Sequence, residues 1–195
     1  MKKVYVVRHC KAEGQEQDAP LTELGLKQAE VLTEFFANQS IDRIISSPFQ
    51  RAVQTVKPLS KKIDVQIETD HRLVERVLST KHLPDWLEKL ERTFSDLDLA
   101  FEGGESSNEA TERVVEVIEE IFAHEEEGTV MVTHGGLMSL LLNHFTGNFG
   151  FDDWKDLRNP DIYILSRTDS EIFVERMDLE TEIAGGEDPR LTEER

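Results

Sequence analysis

Residues 2–9 read Lys-Lys-Val-Tyr-Val-Val-Arg-His. The run Lys2–Val7 is short, β-branched and aromatic, which predicts a buried strand, and it stops on a cation followed by an imidazole. Thr129–Thr133 (Thr-Val-Met-Val-Thr) repeats the plan. This apolar strand runs into His134-Gly135-Gly136 and then into the helical stretch Leu137–Phe145. Apolar strands that turn into helices in this way build a parallel sheet covered on both faces.

Between these two stretches the same alternation continues. Thr22 predicts an N-cap for a helix through Asn38, with Ala29, Leu32, Phe35 and Phe36 on one face. Arg43–Ser46 reads as a second strand. Ser47-Pro48 then predicts a helix start, with serine as N-cap and proline at the first helical position, and a break near Pro58. Val65–Glu68 reads as a third strand. Leu87, Leu90 and Phe94 place a helix over Pro84–Phe94, inside a cap insertion spanning 76–104. Ser106 and Glu109 have capping-box spacing, and the helix after them turns Val114, Val117, Ile118 and Ile121 inward, with Gly128 as its stop. Ile162–Ser166 and Ile172–Arg176 predict a final strand pair. Residues 1–177 therefore read as one α/β domain with a mainly parallel sheet, followed by an acidic tail over 178–195.

Among 195 residues, 38% are hydrophobic and 32% charged, and the formal net charge is −18. Such a charge opposes nucleic acid and anionic membranes as partners. No apolar run reaches the length of a membrane span, and the N-terminus lacks a signal-peptide core. Cys10 is the single cysteine, so no internal disulfide forms, and a cytoplasmic setting is expected.

Ligands of parallel sheets bind at the carboxyl ends of the strands. Three such ends carry Arg8-His9, the Ser46–Arg51 segment and His134. Phosphoryl transfer needs a nucleophile, cations for the equatorial oxygens and an acid for the leaving group. Neutral imidazole at His9 supplies the first. Arg8 and Arg51 supply planar, permanent cations, while His134 and the Gly135 N–H offer further donors. No spacing of metal ligands occurs, so neither a metal nor another cofactor is expected, and the partner is a small phosphorylated substrate or a phosphorylated side chain.

Val7-Arg8-His9, Leu21-Thr22 with Gly25 and Gln28-Ala29, Ser46-Ser47-Pro48 to Arg51-Ala52 and Gln54-Thr55, Gly104-Glu105-Ser106, and Val132 to Gly136 occur in that order. The chain thereby resembles the histidine phosphatase superfamily, the phosphoglycerate-mutase-like proteins, over roughly residues 2–176. The resemblance implies a three-layer α/β/α sandwich and a phosphohistidine on His9, in a pocket of Arg8, Arg51, His134 and the Gly135 backbone. It also implies an acid in a leucine-x-glutamate segment, matched by Leu73-Val74-Glu75, so Glu75 is the candidate. Three departures stand out. Cys10 replaces the usual glycine, and the segment that commonly follows the acid is missing. Ala12 and Gln15 stand where mutases carry a hydroxyl residue and asparagine. The last of these favours hydrolysis over a mutase, with Gln15 as a phosphate donor and Lys11 on a cationic rim. A phosphoglycerate-type mutase and a catalytically weak phosphate-binding module are the alternatives, and the oligomeric state is open.

Overall fold

The computed structural model describes residues 2–168, 171–177 and 179. Its centre is a six-stranded sheet in the order β3-β2-β4-β1-β5-β6. The strands are β1 (Lys3–Arg8), β2 (Arg43–Ser46), β3 (Ile67–Thr69), β4 (Gly128–Thr133), β5 (Asp161–Arg167) and β6 (Ile172–Met177). The first four pair in parallel, whereas β5 and β6 add antiparallel partners beyond β1. In the central pair Lys3 faces Gly128 and Arg8 faces Thr133, so both strands end at the same level.

Alternation along each strand sorts the core into two halves. Tyr5, Val7, Ile44, Val130 and Val132 pack on one face, under α1 (Glu23–Ala37) and α2 (Gln50–Ile63). Val4, Val6, Ile45 and Met131 pack on the other, under α4 (Ser107–Ala123) and α5 (Gly135–Thr146). Val6 and Val7 are both 0% exposed, and burying each side chain contributes about 1.5–3 kcal/mol. The result is the expected α/β/α sandwich. Its short α3 (Trp86–Ser95) lies in the segment expected as a cap, where Phe94 meets Phe151 of α6 (Phe151–Lys155) with ring centroids 5.8 Å apart.

Several elements depart from the sequence reading. Ser47 does not cap α2, which begins at Gln50 after Phe49; the Ser47 hydroxyl is engaged by His134 instead. Pro58 does not break that helix, which runs on to Ile63 because Val56 and Leu59, each 1% exposed, keep their turn against the sheet. Gly128 opens β4 where a helix stop was expected, since Asp42 binds it through both N–H and C=O, while α4 already ends at Ala123. The third strand starts two residues later, at Ile67, and α6 was not foreseen. The expected tail lies outside the described residues apart from Leu179, which packs against the α1/α2 half of the core. Among the described residues no helix is long and apolar enough to cross a membrane.

The capping box of α4 is present in both directions: the Ser106 hydroxyl accepts from the Glu109 N–H, and the Glu109 carboxylate accepts from the Ser106 N–H. Ser106→Ala is expected to cost about 1 kcal/mol and lower Tm by roughly 2–4 °C, read by thermal unfolding.

Candidate active site

His9 follows the last residue of β1 and is 6% exposed. Its Nδ1 lies 2.7 Å from the Cys10 carbonyl oxygen, and its Nε2 lies 3.2 Å from Nε–H of Arg51. A carbonyl can only accept and a guanidinium can only donate, so the ring carries its proton on Nδ1 and a lone pair on Nε2. Burial, aided by the nearby Arg51 and Arg8 cations, pushes the His9 pKa down to about 4. The imidazole is therefore neutral at physiological pH.

The cations are held as firmly. Arg51, on the first turn of α2, is 1% exposed; its Nη1 donates to the carbonyls of Gln15 (3.1 Å) and Glu16 (2.7 Å), and its plane lies over the Phe49 ring. Arg8 donates from Nη1 to the Leu157 carbonyl at 2.7 Å, while its buried Nε has no hydrogen-bond partner among the described residues. Burial lowers the pKa of both guanidiniums and Glu75 pulls it back, so both remain cations.

His134 follows the last residue of β4, with its ring centroid 5.1 Å from that of His9. Its Nε2 meets the Ser47 hydroxyl at 2.8 Å, and its buried Nδ1 has no hydrogen-bond partner among the described residues. Burial first, then the neighbouring His9 and arginines, holds its pKa well below the usual histidine range. A buried donor or acceptor left unpaired costs about 1–3 kcal/mol. Two such atoms, Arg8 Nε and His134 Nδ1, belong to side chains whose charge or ring bears on His9.

Glu75 follows the 3-10 turn His71–Leu73. Its carboxylate accepts from the N–H groups of Gly136 (3.0 Å), Leu137 (2.9 Å) and Arg76 (2.8 Å). It therefore seals the N-terminus of α5, and the N–H groups it uses there are not that of Gly135. The segment is held from two sides. Thr133 Oγ1 donates to the Leu73 carbonyl at 2.9 Å, and Arg113 of α4 donates to the Val74 carbonyl at 3.0 Å. Glu105 in turn grips the Arg113 guanidinium with both oxygens.

The two glycines after His134 leave room for the ends of two side chains, which a larger residue would push aside. A Cβ on Gly135 would sit 3.0 Å from Arg8 Nε, and one on Gly136 would sit 2.7 Å from Glu75 Oε1. Cys10 lies inside the α1/α2 half of the core, 0% exposed, with its thiol pushed up to about 12 by burial. The thiol is thus a packing group turned away from solvent, not a reactive one. Gln15 reaches Arg51 through its carbonyl, and the side chains of Gln15 and Lys11 are exposed. The partnership of Ser47 with His134 went unread because Ser47-Pro48 is also a strong helix-start signal. Among the described residues no group of three metal-ligating side chains converges.

The sequence profile of the histidine phosphatase superfamily (branch 1) matches residues 4–180. The chain belongs to this superfamily. A protein of Hydrogenobacter thermophilus provisionally named phosphoserine phosphatase 2 is 30% identical over 75% of this chain and 80% of its own length. A protein of Yersinia pestis provisionally named phosphoglycerate mutase is 39% identical over 38% of each chain. Among solved structures, a mycobacterial glucosyl-3-phosphoglycerate phosphatase with inorganic phosphate superposes with a TM-score of 0.72 at 25% identity, covering 91% of this chain and 96% of that one. This histidine phosphatase thus has phosphatases among its relatives in both sequence and structure.

Neutral burial of His9 has a thermodynamic cost in acid. Its folded pKa of about 4 lies below the ordinary 6.5, so between those values the unfolded chain binds the extra proton and stability falls as pH falls. His9→Asn, which has no such proton to bind, is expected to show a shallower loss of stability between pH 6.5 and 4 by on the order of 3 kcal/mol, read by urea unfolding across that range.

Proposed function

We propose that this histidine phosphatase is a metal-independent phosphomonoesterase that carries the phosphoryl group on Nε2 of His9. The observation that supports it is the tautomer: the Cys10 carbonyl fixes the proton on Nδ1, leaving a lone pair on Nε2 between cationic side chains. Those cations do the work a metal would otherwise do. Arg8 Nε, the Arg51 guanidinium, His134 Nδ1–H and the Gly135 N–H bind the three equatorial oxygens, where preorganised charge lowers the barrier most. For His134 to donate from Nδ1, the Ser47 O–H donates to its Nε2 while the Ser47 oxygen accepts the Phe49 N–H at 3.3 Å.

A substrate bound as the monoanion hands its phosphate proton to the Glu75 carboxylate. Nε2 then attacks phosphorus, the P–O ester bond breaks, and the departing oxygen takes that proton from Glu75. Water then attacks the phosphohistidine, gives a proton to Glu75, and Nε2 leaves with inorganic phosphate as product. Oε1 already accepts two N–H groups and Oε2 one, so Oε2 is the oxygen with room for the proton. The substrate is a small phosphorylated metabolite or a phosphorylated side chain, in keeping with relatives named for phosphoserine and for glucosyl-3-phosphoglycerate. The setting is cytoplasmic, with neither nucleic acid nor membrane as partner.

Hydrolysis of an aryl phosphate is expected to persist in excess EDTA and to be abolished by His9→Ala. Acid-labile, base-stable label should be trapped on the wild type during turnover. Loss of activity in EDTA that a divalent ion restores overturns the metal-free mechanism. Phosphoryl exchange between glycerate positions without net hydrolysis would instead assign a mutase.

Glu75→Gln is expected to slow hydrolysis of alkyl phosphates by about 10²–10⁴-fold and that of aryl phosphates far less, because a phenolate leaves without an acid. Comparing kcat/KM on the two substrate types checks this.

A further inference from the structure

Both peptide units that follow His9 are gripped at each end by a side chain. In the first, the His9 carbonyl accepts from Asn159 Nδ2 at 2.8 Å, and the Cys10 N–H donates to Thr55 Oγ1 at 3.0 Å. In the second, the Cys10 carbonyl accepts from His9 Nδ1 at 2.7 Å, and the Lys11 N–H donates to Gln28 Oε1 at 3.0 Å. Gln28 also joins the two units, because its Nε2 donates to the Asn159 carbonyl at 2.6 Å. The hydrogen bonds thus run from His9 through Asn159 and Gln28 to Lys11.

A peptide unit is rigid and planar, so fixing its N–H fixes the direction of its carbonyl. The second unit is the one whose oxygen holds the proton on Nδ1. We propose that Gln28 is a positioning residue for His9: by holding the Lys11 N–H it aims the Cys10 carbonyl at Nδ1 and so keeps the lone pair on Nε2. Asn159 and Thr55 hold the preceding unit in the same way. Gln28 sits on α1, half-buried, and touches neither reacting atom. Its influence reaches the nucleophile only through the peptide plane. Free imidazole populates both tautomers, so the structure must supply the preference.

The value of this tautomer for catalysis rests on the reading of His9 as nucleophile, but the tautomer itself is measurable without any substrate. In protein labelled with 15N-histidine, the His9 signals are assigned by their loss in His9→Asn. In the wild type Nδ1 should carry the proton and Nε2 should show the shift of an unprotonated nitrogen. Gln28→Leu removes the acceptor and is expected to populate the Nε2–H tautomer and to slow phosphohistidine formation about tenfold to a hundredfold.

Unchanged His9 shifts in Gln28→Leu overturn the proposal. Should Gln28→Leu not fold, Asn159→Ala reports on the linked unit through the same signals, and there too unchanged shifts count against the proposal. A wild-type enzyme with the expected tautomer but no trapped phosphohistidine would sink the functional reading while leaving the role of Gln28 intact.

Discussion

The register of β1 against β4 is the constraint on which the site depends. Arg8 faces Thr133, and the His9 N–H continues the ladder to the Thr133 carbonyl at 3.1 Å. Two strands that stop at the same level therefore deliver His9 and His134 side by side. Because successive side chains alternate between faces, a slip by one residue would turn each of these side chains toward the wrong half of the core. The apolar cores on both faces, with Val6, Val7, Met131 and Val132 all fully buried, oppose that slip. Packing energy is thus what sets the distance between the two imidazoles.

The electrostatics of the pocket follow from burial against a strongly acidic background. A net charge of −18 repels a phosphate dianion at long range, yet that field is screened within about 8 Å at physiological salt. Inside the pocket Arg8 and Arg51 act at short range in poor solvent, where each charge counts for more. The same desolvation keeps both histidines neutral, so the arginines hold the positive charge and His9 keeps its lone pair. Division of labour between permanent cations and neutral imidazoles is a result of burial, not of any one contact.

Much of this was legible in the chain. The strands ending at Arg8-His9 and His134, and the capping box at Ser106, follow from periodicity and local chemistry. What escaped the reading depends on contacts between residues far apart in sequence. Ser47 looks like a helix cap because its local neighbours fit one, and only the fold brings His134 to its hydroxyl. Pro58 looks like a breaker because the local cost is plain, whereas the packing of Val56 and Leu59 that offsets it is tertiary. Asn159 carries no signal of its role, and Gln28 stands out only as part of a motif; what either holds exists only where α1 and the segment before β5 meet the residues after β1.

The close approach of Gly135 to Arg8 has a further consequence for how this sequence can change. A side chain at position 135 would press on the guanidinium at position 8, although the two lie 127 positions apart in the chain. A side chain at 135 would ask the Arg8 guanidinium to give by a few tenths of an ångström, so a change at one position is felt at the other. Because the guanidinium atom nearest to position 135 is the buried Nε, drift at 135 registers first in the geometry of the pocket.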